Sequence, residues 1–456
     1  IPVMPEFHAD TALLPQGWAA DVRIRADAAG WITAVEPAAM PGAGAQRLAG
    51  TVIPGIPNLH GHAFQRAMAG GAERRGPAGQ DSFWTWRETM YRFTGLLSPE
   101  DAEAIAAMLY VELLEAGFTS VCEFHYLHHH PDGTPYADPG EMALRHLEAA
   151  RATGIGITLL PSLYRHGGIF GKPAAPGQRR FLNDLDGFAA IVESCRRAAA
   201  GDAQAAVGLA PHSLRAVTPA MLQAVAAMDG PIHIHAAEQR REVEECLAAV
   251  HARPVEWLLD NAPVDAHWCV IHATHMNAAE IEDLAASGAV AGLCPSTEAS
   301  LGDGTFALPA YLGCGGRLGI GTDSHVGTDP REELRALEMS QRLALHARAV
   351  ATSATQPHPG RLLLDAALAG GAQAGGRALG AIAPGRRCDL VELDAEHPAL
   401  VGRAGDALLD AWIFGPAGGA VRSVICGAVP LVEAGRHHAR PRIAQRFAQA
   451  MRRLLA

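Results

Sequence analysis

The stretch that decides the fold is TVIPGIPNLHGH, residues 51–62, in which an apolar, β-branched run ends in two histidines. Similar apolar runs recur along the chain, and the stretches between them have the composition and 3.6-residue spacing of helices. The predicted strands are 51–60, 118–126, 155–164, 205–212, 231–238, 268–275, 289–296 and 317–325. The predicted helices include 99–116, 139–153, 184–199, 218–228, 277–287 and 330–348. This alternation predicts an α/β protein with a (β/α)8 TIM-type barrel.

Most of these strands finish in polar or ionisable side chains. These are His60 and His62, Glu123, His125 and Tyr126, Tyr164, His212 and Arg215, His235 and Glu238, His272 and His275, Asp323 and His325. The carboxyl ends of barrel strands share one face, so side chains far apart in sequence meet there. A doubly wound open sheet would gather its ligands at one switch point instead. The pattern therefore favours a closed barrel with its active site on that face.

The 456 residues are enough for a barrel and a smaller companion domain. Alternating segments near both ends predict a small β-sandwich built from residues 1–50 and 383–436, which flanks a barrel over 51–382. An Arg-rich helix is predicted over 437–456, as a surface or subunit-contact element. Loops over 64–87 and 166–180 are expected on the active-site side, and the sequence leaves open whether 166–180 closes over a substrate.

Charge and composition exclude several classes of protein. A net charge of −11 argues against nucleic acid as the main partner. The 8 cysteines are scattered without a CxxC pair, which is typical of reduced thiols in a reducing compartment. No apolar run reaches about 18 residues, and no secretory signal pattern is present. We therefore expect a cytoplasmic protein without membrane association.

Three strand ends predict a metal site. In the HxH pair of His60 and His62, alternate residues of a strand point the same way, so both rings can reach one ion. One such pair is weak evidence in a chain with 22 histidines. A second pair, His233 and His235, and the carboxylate of Asp323 strengthen it. The expected ligands are His60, His62, His235 and Asp323, which suit Zn²⁺ with a position left open for water, although iron or manganese could bind the same set.

His235 is the expected ligand of the second pair because Glu238 follows it and could take a proton from metal-bound water and return it to a leaving nitrogen. His233 lies deeper in the strand and is expected to be packed. His272 could polarise the substrate or stabilise a tetrahedral intermediate. We expect His275 to be structural.

Lys172 is the chain's single lysine and lies in a Gly/Pro-rich loop. Barrel hydrolases with two metals commonly bridge them through a carboxylated lysine at a strand end, so a mononuclear site is expected, with one ion per chain. Schiff-base chemistry, which needs a lysine amine in a pocket, is disfavoured for the same reason.

The set HGH, HxxE, His272 and Asp323, with ALGAIAPGRRCDLVELD near the end, resembles the deaminase branch of the amidohydrolase superfamily over nearly the whole chain. The segments PGIPNLHGHAFQRAMAG, DSFWTWRETMYRF, EFHYLHHH, HSLRAVTP, HIHAAEQ, HATH and GTDSH are similar to those of the formimidoylglutamate deiminase family of histidine degradation. The resemblance implies metal ligands at His60, His62, His235 and Asp323, and catalytic groups at Glu238, His272 and Asp323. It also implies substrate-binding residues at Gln65, Arg87, Tyr126, His212 and Arg215, and a homodimer. The family commonly has Ser where Gly61 stands, which we expect to leave metal binding unaffected.

The implied reaction is the zinc-dependent deimination of N-formimidoyl-L-glutamate to N-formyl-L-glutamate and ammonia. Metal-bound hydroxide would attack the formimidoyl carbon, Glu238 and Asp323 would accept the proton of water, and arginines suit the two substrate carboxylates. One alternative is a nucleobase or aminotriazine deaminase, which would use stacking aromatics and amides. Another is a non-catalytic metal-binding barrel, against which the open metal position argues. The roles of Glu123, His125 and His128 to His130 stay open, and we expect that histidine run to be a solvated loop.

Overall fold

The computed structural model describes residues 4–73 and 82–456. Part of the predicted 64–87 loop, residues 74–81, therefore lies outside the described residues, as do residues 1–3. In chain order the strands are β1 (Glu6–Leu14), β2 (Gly17–Ala26), β3 (Ile32–Glu36), β4 (Gln46–Pro54), β5 (Ile56–Gly61), β6 (Phe118–His125), β7 (Gly156–Leu163), β8 (Ala205–Val207), β9 (Ala210–Pro211), β10 (Ile232–Ala236), β11 (Trp268–His272), β12 (Val290–Leu293), β13 (Arg317–Ile320), β14 (Leu390–Leu393), β15 (Val421–Cys426), β16 (Val429–Glu433) and β17 (Arg436–His437).

The helices follow the same order. They are α1 (Phe83–Thr94), α2 (Pro99–Ala116), α3 (Glu141–Thr153), α4 (Leu185–Ala199), α5 (Pro219–Ala226), α6 (Arg240–Val250), α7 (Pro254–Asn261), α8 (Ala278–Ser287), α9 (Pro295–Leu301), α10 (Leu308–Gly313), α11 (Pro330–Leu345), α12 (Pro359–Gly375), α13 (Asp406–Phe414) and α14 (Arg440–Leu454). Short 3-10 helices span Ala63–Met68 and Pro176–Gln178.

Parallel strands form the barrel. β5, β6, β7 and β8 are neighbours in one set, β10 to β13 are neighbours in a second, and β9 pairs with β7. Parallel bridges join the two sets into a ring, from Leu209 to Ile232 on one side and from Gly61 to Asp323 on the other. The predicted TIM-type barrel is confirmed.

The first predicted strand, 51–60, is in fact two strands in two sheets. β4 ends at Pro54 in the small sheet, and β5 starts at Ile56 in the barrel. Gly55 links them, and its N–H donates to the Asp389 carbonyl at 2.8 Å. A Cβ at Gly55 would lie 2.3 Å from the Thr119 hydroxyl, so only glycine fits this crossing. The predicted strand 205–212 is likewise divided, into β8 and β9.

Capping residues set the helix bounds where the sequence predicted them. The Asp101 N–H donates to the Ser98 hydroxyl at the start of α2, and Gly117 ends this helix in the left-handed region, at a φ of 108°. The prediction missed α12, a Gly-rich helix packed against β5 and β13. A Cβ at Gly370 would lie 1.9 Å from the Leu318 carbonyl oxygen, so glycine allows this close packing.

Both chain ends contribute to a second sheet, which confirms the small β domain. Its order is β17-β16-β15-β14-β4-β1-β2-β3, and β4 joins the two ends by pairing antiparallel with β14 and parallel with β1. The eight strands are hydrogen-bonded as one continuous sheet. Between β14 and β15 the chain forms α13, which packs against α11 and α12 on the barrel, and α14 packs against α2. In the described part of the chain, no helix combines the length and apolarity needed to cross a membrane.

Candidate active site

Barrel closure brings the four predicted metal ligands together. His60 and His62 lie at the end of β5, His235 lies in β10, and Asp323 lies three residues beyond β13. The N–H of Asp323 donates to the His60 carbonyl at 3.0 Å, and the N–H of His62 donates to the Asp323 carbonyl at 3.0 Å. These backbone bonds fix the last barrel segment against the first. They place the carboxylate of Asp323 beside the imidazole rings.

The separations of the four side chains suit a single metal ion. The Nε2 atoms of His60 and His235 are 3.2 Å apart. Oδ1 of Asp323 lies 3.3 Å from Nε2 of His62 and 3.6 Å from Nε2 of His60. Ligand atoms around tetrahedral zinc, with bonds of about 2.0–2.1 Å, are about 3.3 Å apart. These three separations are therefore compatible with one divalent ion between the side chains.

Hydrogen bonds on the far side of the rings orient two of these histidines. Nδ1 of His62 donates to the Phe124 carbonyl at 2.7 Å, and Nδ1 of His235 donates to the His212 carbonyl at 3.0 Å. A carbonyl oxygen can only accept, so Nδ1 carries the proton and Nε2 presents its lone pair to the cluster. Burial lowers the pKa of His60, His62 and His235, which keeps the rings neutral, as metal binding requires.

The two histidines predicted to be structural both contact main-chain carbonyls. His233 is fully buried in β10, and its Nε2 lies 2.8 Å from the Ala374 carbonyl on α12. His275 follows β11, and its Nε2 lies 2.7 Å from the Asp303 carbonyl.

The predicted catalytic groups lie beside the four predicted metal ligands. Nε2 of His272 is 3.7 Å from Oε1 of Glu238 and 3.7 Å from Oδ2 of Asp323, and Oε2 of Glu238 is 3.5 Å from a guanidinium nitrogen of Arg215. Burial raises the pKa of Glu238, and the charges of His272 and Arg215 oppose this. Burial lowers the pKa of His272, but Glu238, Glu298 and Asp323 more than offset it and raise the value to about 10. A buried carboxyl with a raised pKa thus adjoins an imidazole whose pKa is also raised.

A cavity opens onto this cluster, with about 650 Å³ of empty space that includes open solvent at its mouth. All five predicted substrate-binding residues line it, namely Gln65, Arg87, Tyr126, His212 and Arg215. Nε2 of Gln65 donates to the Tyr126 hydroxyl at 2.8 Å, while Oε1 of Gln65 and Nη1 of Arg215 are buried without a hydrogen-bond partner among the described residues. The guanidinium of Arg87 lies 4.5 Å from the centre of the Trp84 ring. The cavity thus combines two arginines with unpaired polar atoms.

The sequence did not identify several residues at the cavity. The missed lining residues include Phe83, Trp86, Met90, Tyr91, Phe181, Thr297 and Ser324. Many of the aromatic ones come from α1, whose aromatic-rich sequence was the available signal. Glu298 was also missed. It follows the predicted strand 289–296, to which the sequence analysis assigned no polar side chain.

The histidine run after β6 is not the solvated loop that we expected. His128 is 1% exposed, and its Nε2 lies 2.9 Å from the Ser162 carbonyl. Nε2 of His129 lies 2.7 Å from the Leu182 carbonyl. The run is held inward because these backbone acceptors lie on neighbouring segments. Glu123 is also buried and accepts the N–H of Ala63, the residue after His62, at 2.8 Å.

Comparison with known proteins places the chain in a family. Residues 51–431 match the amidohydrolase family, and residues 4–49 match the family described as "Formimidoylglutamate deiminase HutF, N-terminal domain". The formimidoylglutamate deiminase of Pseudomonas aeruginosa is 51% identical to this chain, across 99% of this chain and 100% of its own length.

Solved structures agree with this assignment. An amidohydrolase from Brucella melitensis has a TM-score of 0.95 at 50% identity, covering 99% of this chain and 100% of its own. An adenosine deaminase from Xanthomonas campestris with bound zinc has a TM-score of 0.82 at 19% identity, covering 99% of this chain and 98% of its own, and shows the shared fold alone. The chain therefore belongs to the amidohydrolase family of hydrolases and, within it, to the formimidoylglutamate deiminases.

Proposed function

We propose that this protein hydrolyses N-formimidoyl-L-glutamate to N-formyl-L-glutamate and ammonia, as a zinc enzyme of histidine degradation. The observation that carries the proposal is the cavity, which is lined by Arg87 and Arg215 and opens onto the predicted metal ligands. A substrate with two carboxylates and one reactive C=N group needs this pairing of cations with a hydrolytic centre. The name of the Pseudomonas aeruginosa relative supports the same reaction.

A metal cofactor is implied by the family and by the buried histidine cluster. We propose one Zn²⁺ per chain, held by His60, His62, His235 and Asp323, because three imidazoles and one carboxylate suit zinc. An ion there supplies Lewis-acid chemistry and lowers the pKa of bound water towards about 7. The single lysine, Lys172, is exposed in the loop after β7, which supports a mononuclear site.

Glu238 is proposed to transfer the protons. Its carboxylate lies between His272 and Arg215, and burial raises its pKa, so it can hold a proton between two steps. It accepts a proton from the attacking water, with Asp323, and passes one to the departing nitrogen, which leaves as ammonia. The cationic His272 stabilises negative charge that develops at the reacting centre.

Arg87 and Arg215 are proposed to hold the glutamate carboxylates. The buried Nη1 of Arg215 has no partner among the described residues and can donate to a carboxylate oxygen. Gln65, Tyr126 and His212 line the same cavity as the arginines and would orient the formimidoyl group. This orientation would direct the terminal C=N group, rather than the C–N bond to glutamate, towards the nucleophile.

A ring-substrate deaminase is the second candidate because Trp86, Tyr91 and Phe181 line the same cavity and could stack on a flat ring. The two arginines favour the dianionic substrate. We also propose a homodimer, which the family resemblance supports, and a cytoplasmic location, which the scattered free cysteines support. Size-exclusion chromatography with light scattering tests the dimer.

The test measures ammonia release from N-formimidoyl-L-glutamate by the zinc-loaded protein, with NMR identification of the second product and with guanine and cytosine assayed in parallel. Ammonia together with N-formylglutamate is the expected result. Formamide together with glutamate would retain the substrate and refute the deimination step. Turnover of the ring substrates alone would refute the proposed substrate.

A further inference from the structure

Glu298 lies at the start of a helix behind the cavity wall. β12 ends at Leu293 and α9 begins at Pro295, so Glu298 lies in the first turn of α9. Its Oε1 accepts the Cys294 N–H at 2.9 Å, and the residue is 5% exposed. Glu298 is absent from the described residues that line the cavity, whereas His272 lines it.

The same oxygen of Glu298 contacts the far side of His272. Nδ1 of His272 lies 3.1 Å from Oε1 of Glu298, and the ring is 1% exposed. The Cys294 N–H already requires Oε1 to be an acceptor, so Nδ1 of His272 carries a proton and donates it. Nε2 then faces Glu238 and Asp323, each 3.7 Å away.

The backbone alone does not fix this ring. His272 ends β11 with a φ of 69°, in the left-handed region that few non-glycine residues adopt, and Ala273 follows at 48°. The strand therefore stops at His272, and its backbone pairing fixes the main chain but not the side-chain torsions. Among the described residues, Glu298 is the hydrogen-bond partner of its ring.

We propose that Glu298 is a positioning residue for the reaction: by accepting the Nδ1 proton, it holds the His272 ring with Nε2 directed into the cavity. The proposal rests on the proposed function for its kinetic consequences. A simple helix-capping role would need only the bond from Cys294, whereas positioning needs the contact with His272. The essential feature is an acceptor oxygen at this distance, rather than the negative charge.

Two substitutions separate the acceptor from the charge. Glu298→Gln keeps an acceptor oxygen at full side-chain length and removes the charge. Glu298→Asp keeps the charge but withdraws the carboxylate by about 1.5 Å, which breaks the contact with Nδ1. Glu333→Gln is the matched control, since Glu333 is a buried glutamate that accepts the Ser296 N–H near the start of the same helix.

The kinetic experiment uses the zinc-loaded full chain, with kcat and KM measured on N-formimidoyl-L-glutamate. We expect Glu298→Asp to lower kcat by about 10- to 100-fold with KM changed by less than about threefold, as for other supporting residues of metal sites. Glu298→Gln should keep kcat within about fivefold of wild type and the control within about twofold. A glutamine variant no more active than the aspartate variant would overturn the proposal.

A second readout does not depend on turnover. Crystal structures of both variants should show the His272 ring in place with glutamine and rotated with aspartate, while metal content equals that of the wild type. An unchanged ring in the aspartate variant would overturn the positioning role. If the wild-type protein fails to turn over the substrate, the proposed function is refuted, and the two crystal structures still decide the role of Glu298.

Discussion

Replacing Arg215 with methionine should weaken substrate binding and leave the stability of the fold nearly unchanged. Arg215 is 8% exposed, its Nη1 has no partner among the described residues, and its nearest carboxylate oxygen, on Glu238, is 3.5 Å away. A guanidinium that gives two charge-assisted hydrogen bonds to a substrate carboxylate contributes about 3–5 kcal/mol. Arg215→Met should therefore lower kcat/KM by roughly 10²- to 10⁴-fold.

Stability should change little in the same variant. Burial opposes the charged form of Arg215, and Glu242 and Glu238 offset this and raise its pKa. Methionine removes a buried cation and keeps much of the packing volume, while Glu238 loses one of its two cationic neighbours. Because these two effects oppose each other, we expect Tm to change by less than about 3 °C.

The assay combines ammonia release with differential scanning calorimetry. The control is Arg197→Met, because the side chain of Arg197 is 66% exposed and pairs only loosely with Glu193, at 3.9 Å. Its kcat/KM should stay within about twofold of wild type. If Arg215→Met kept kcat/KM within about tenfold of wild type, the assignment of a substrate carboxylate to Arg215 would be refuted. A large fall in Tm would instead assign the loss of activity to misfolding.

Three further predictions concern the metal site and buried carboxyls. Glu238→Gln should lower kcat by about 10²- to 10⁴-fold, because the amide cannot transfer protons. Metal content, measured by plasma mass spectrometry, should stay at the wild-type value. Loss of the metal would contradict the proposal that Glu238 is not a metal ligand. Removal of metal by a chelator should abolish turnover and lower Tm, since an ion at 1,000 times its Kd stabilises the fold by about 4 kcal/mol, and zinc should restore both. Burial raises the pKa of Glu123 to about 8, above its unfolded value, so its contribution to stability is complete below the unfolded pKa and is lost as pH rises towards 8. Glu123→Gln keeps the oxygen that accepts the Ala63 N–H, and its Tm should therefore fall less from pH 5 to 8 than that of the wild type. The control is Glu244→Gln, at an exposed position, whose Tm should fall as in the wild type. Parallel Tm curves for Glu123→Gln and the wild type would contradict this prediction.

The barrel could be predicted because its signal is local and repeated. Most of the predicted strands are apolar runs that end in polar side chains, and this is visible without knowing which strands become neighbours. The HxH pair at His60 and His62 was visible for the same reason, since alternation along a strand sets the direction of both side chains. The helix over 99–116 was also predicted with its observed bounds, at which Ser98 and Gly117 cap the helix in the structure.

Features that depend on distant neighbours could not be predicted in this way. The break at Gly55 depends on Thr119 and Asp389, which approach the chain only after the small sheet docks on the barrel. The burial of His128 depends on the carbonyl of Ser162 in β7. The residues next to Gly55 and His128 in the sequence do not show that Thr119, Asp389 or Ser162 will contact them.

By itself, the sequence determined the repeated strand–helix pattern, the small β domain at the chain ends and the types of side chain at the strand ends. Only the tertiary structure decided how the side chains meet: that Asp323, on a left-handed turn at a φ of 45°, faces His62 at 3.3 Å, and that Glu298 contacts His272. The physical reason is that composition and periodicity are properties of short segments. The distances in the site are set by barrel closure, which joins the first strand to the last across most of the chain.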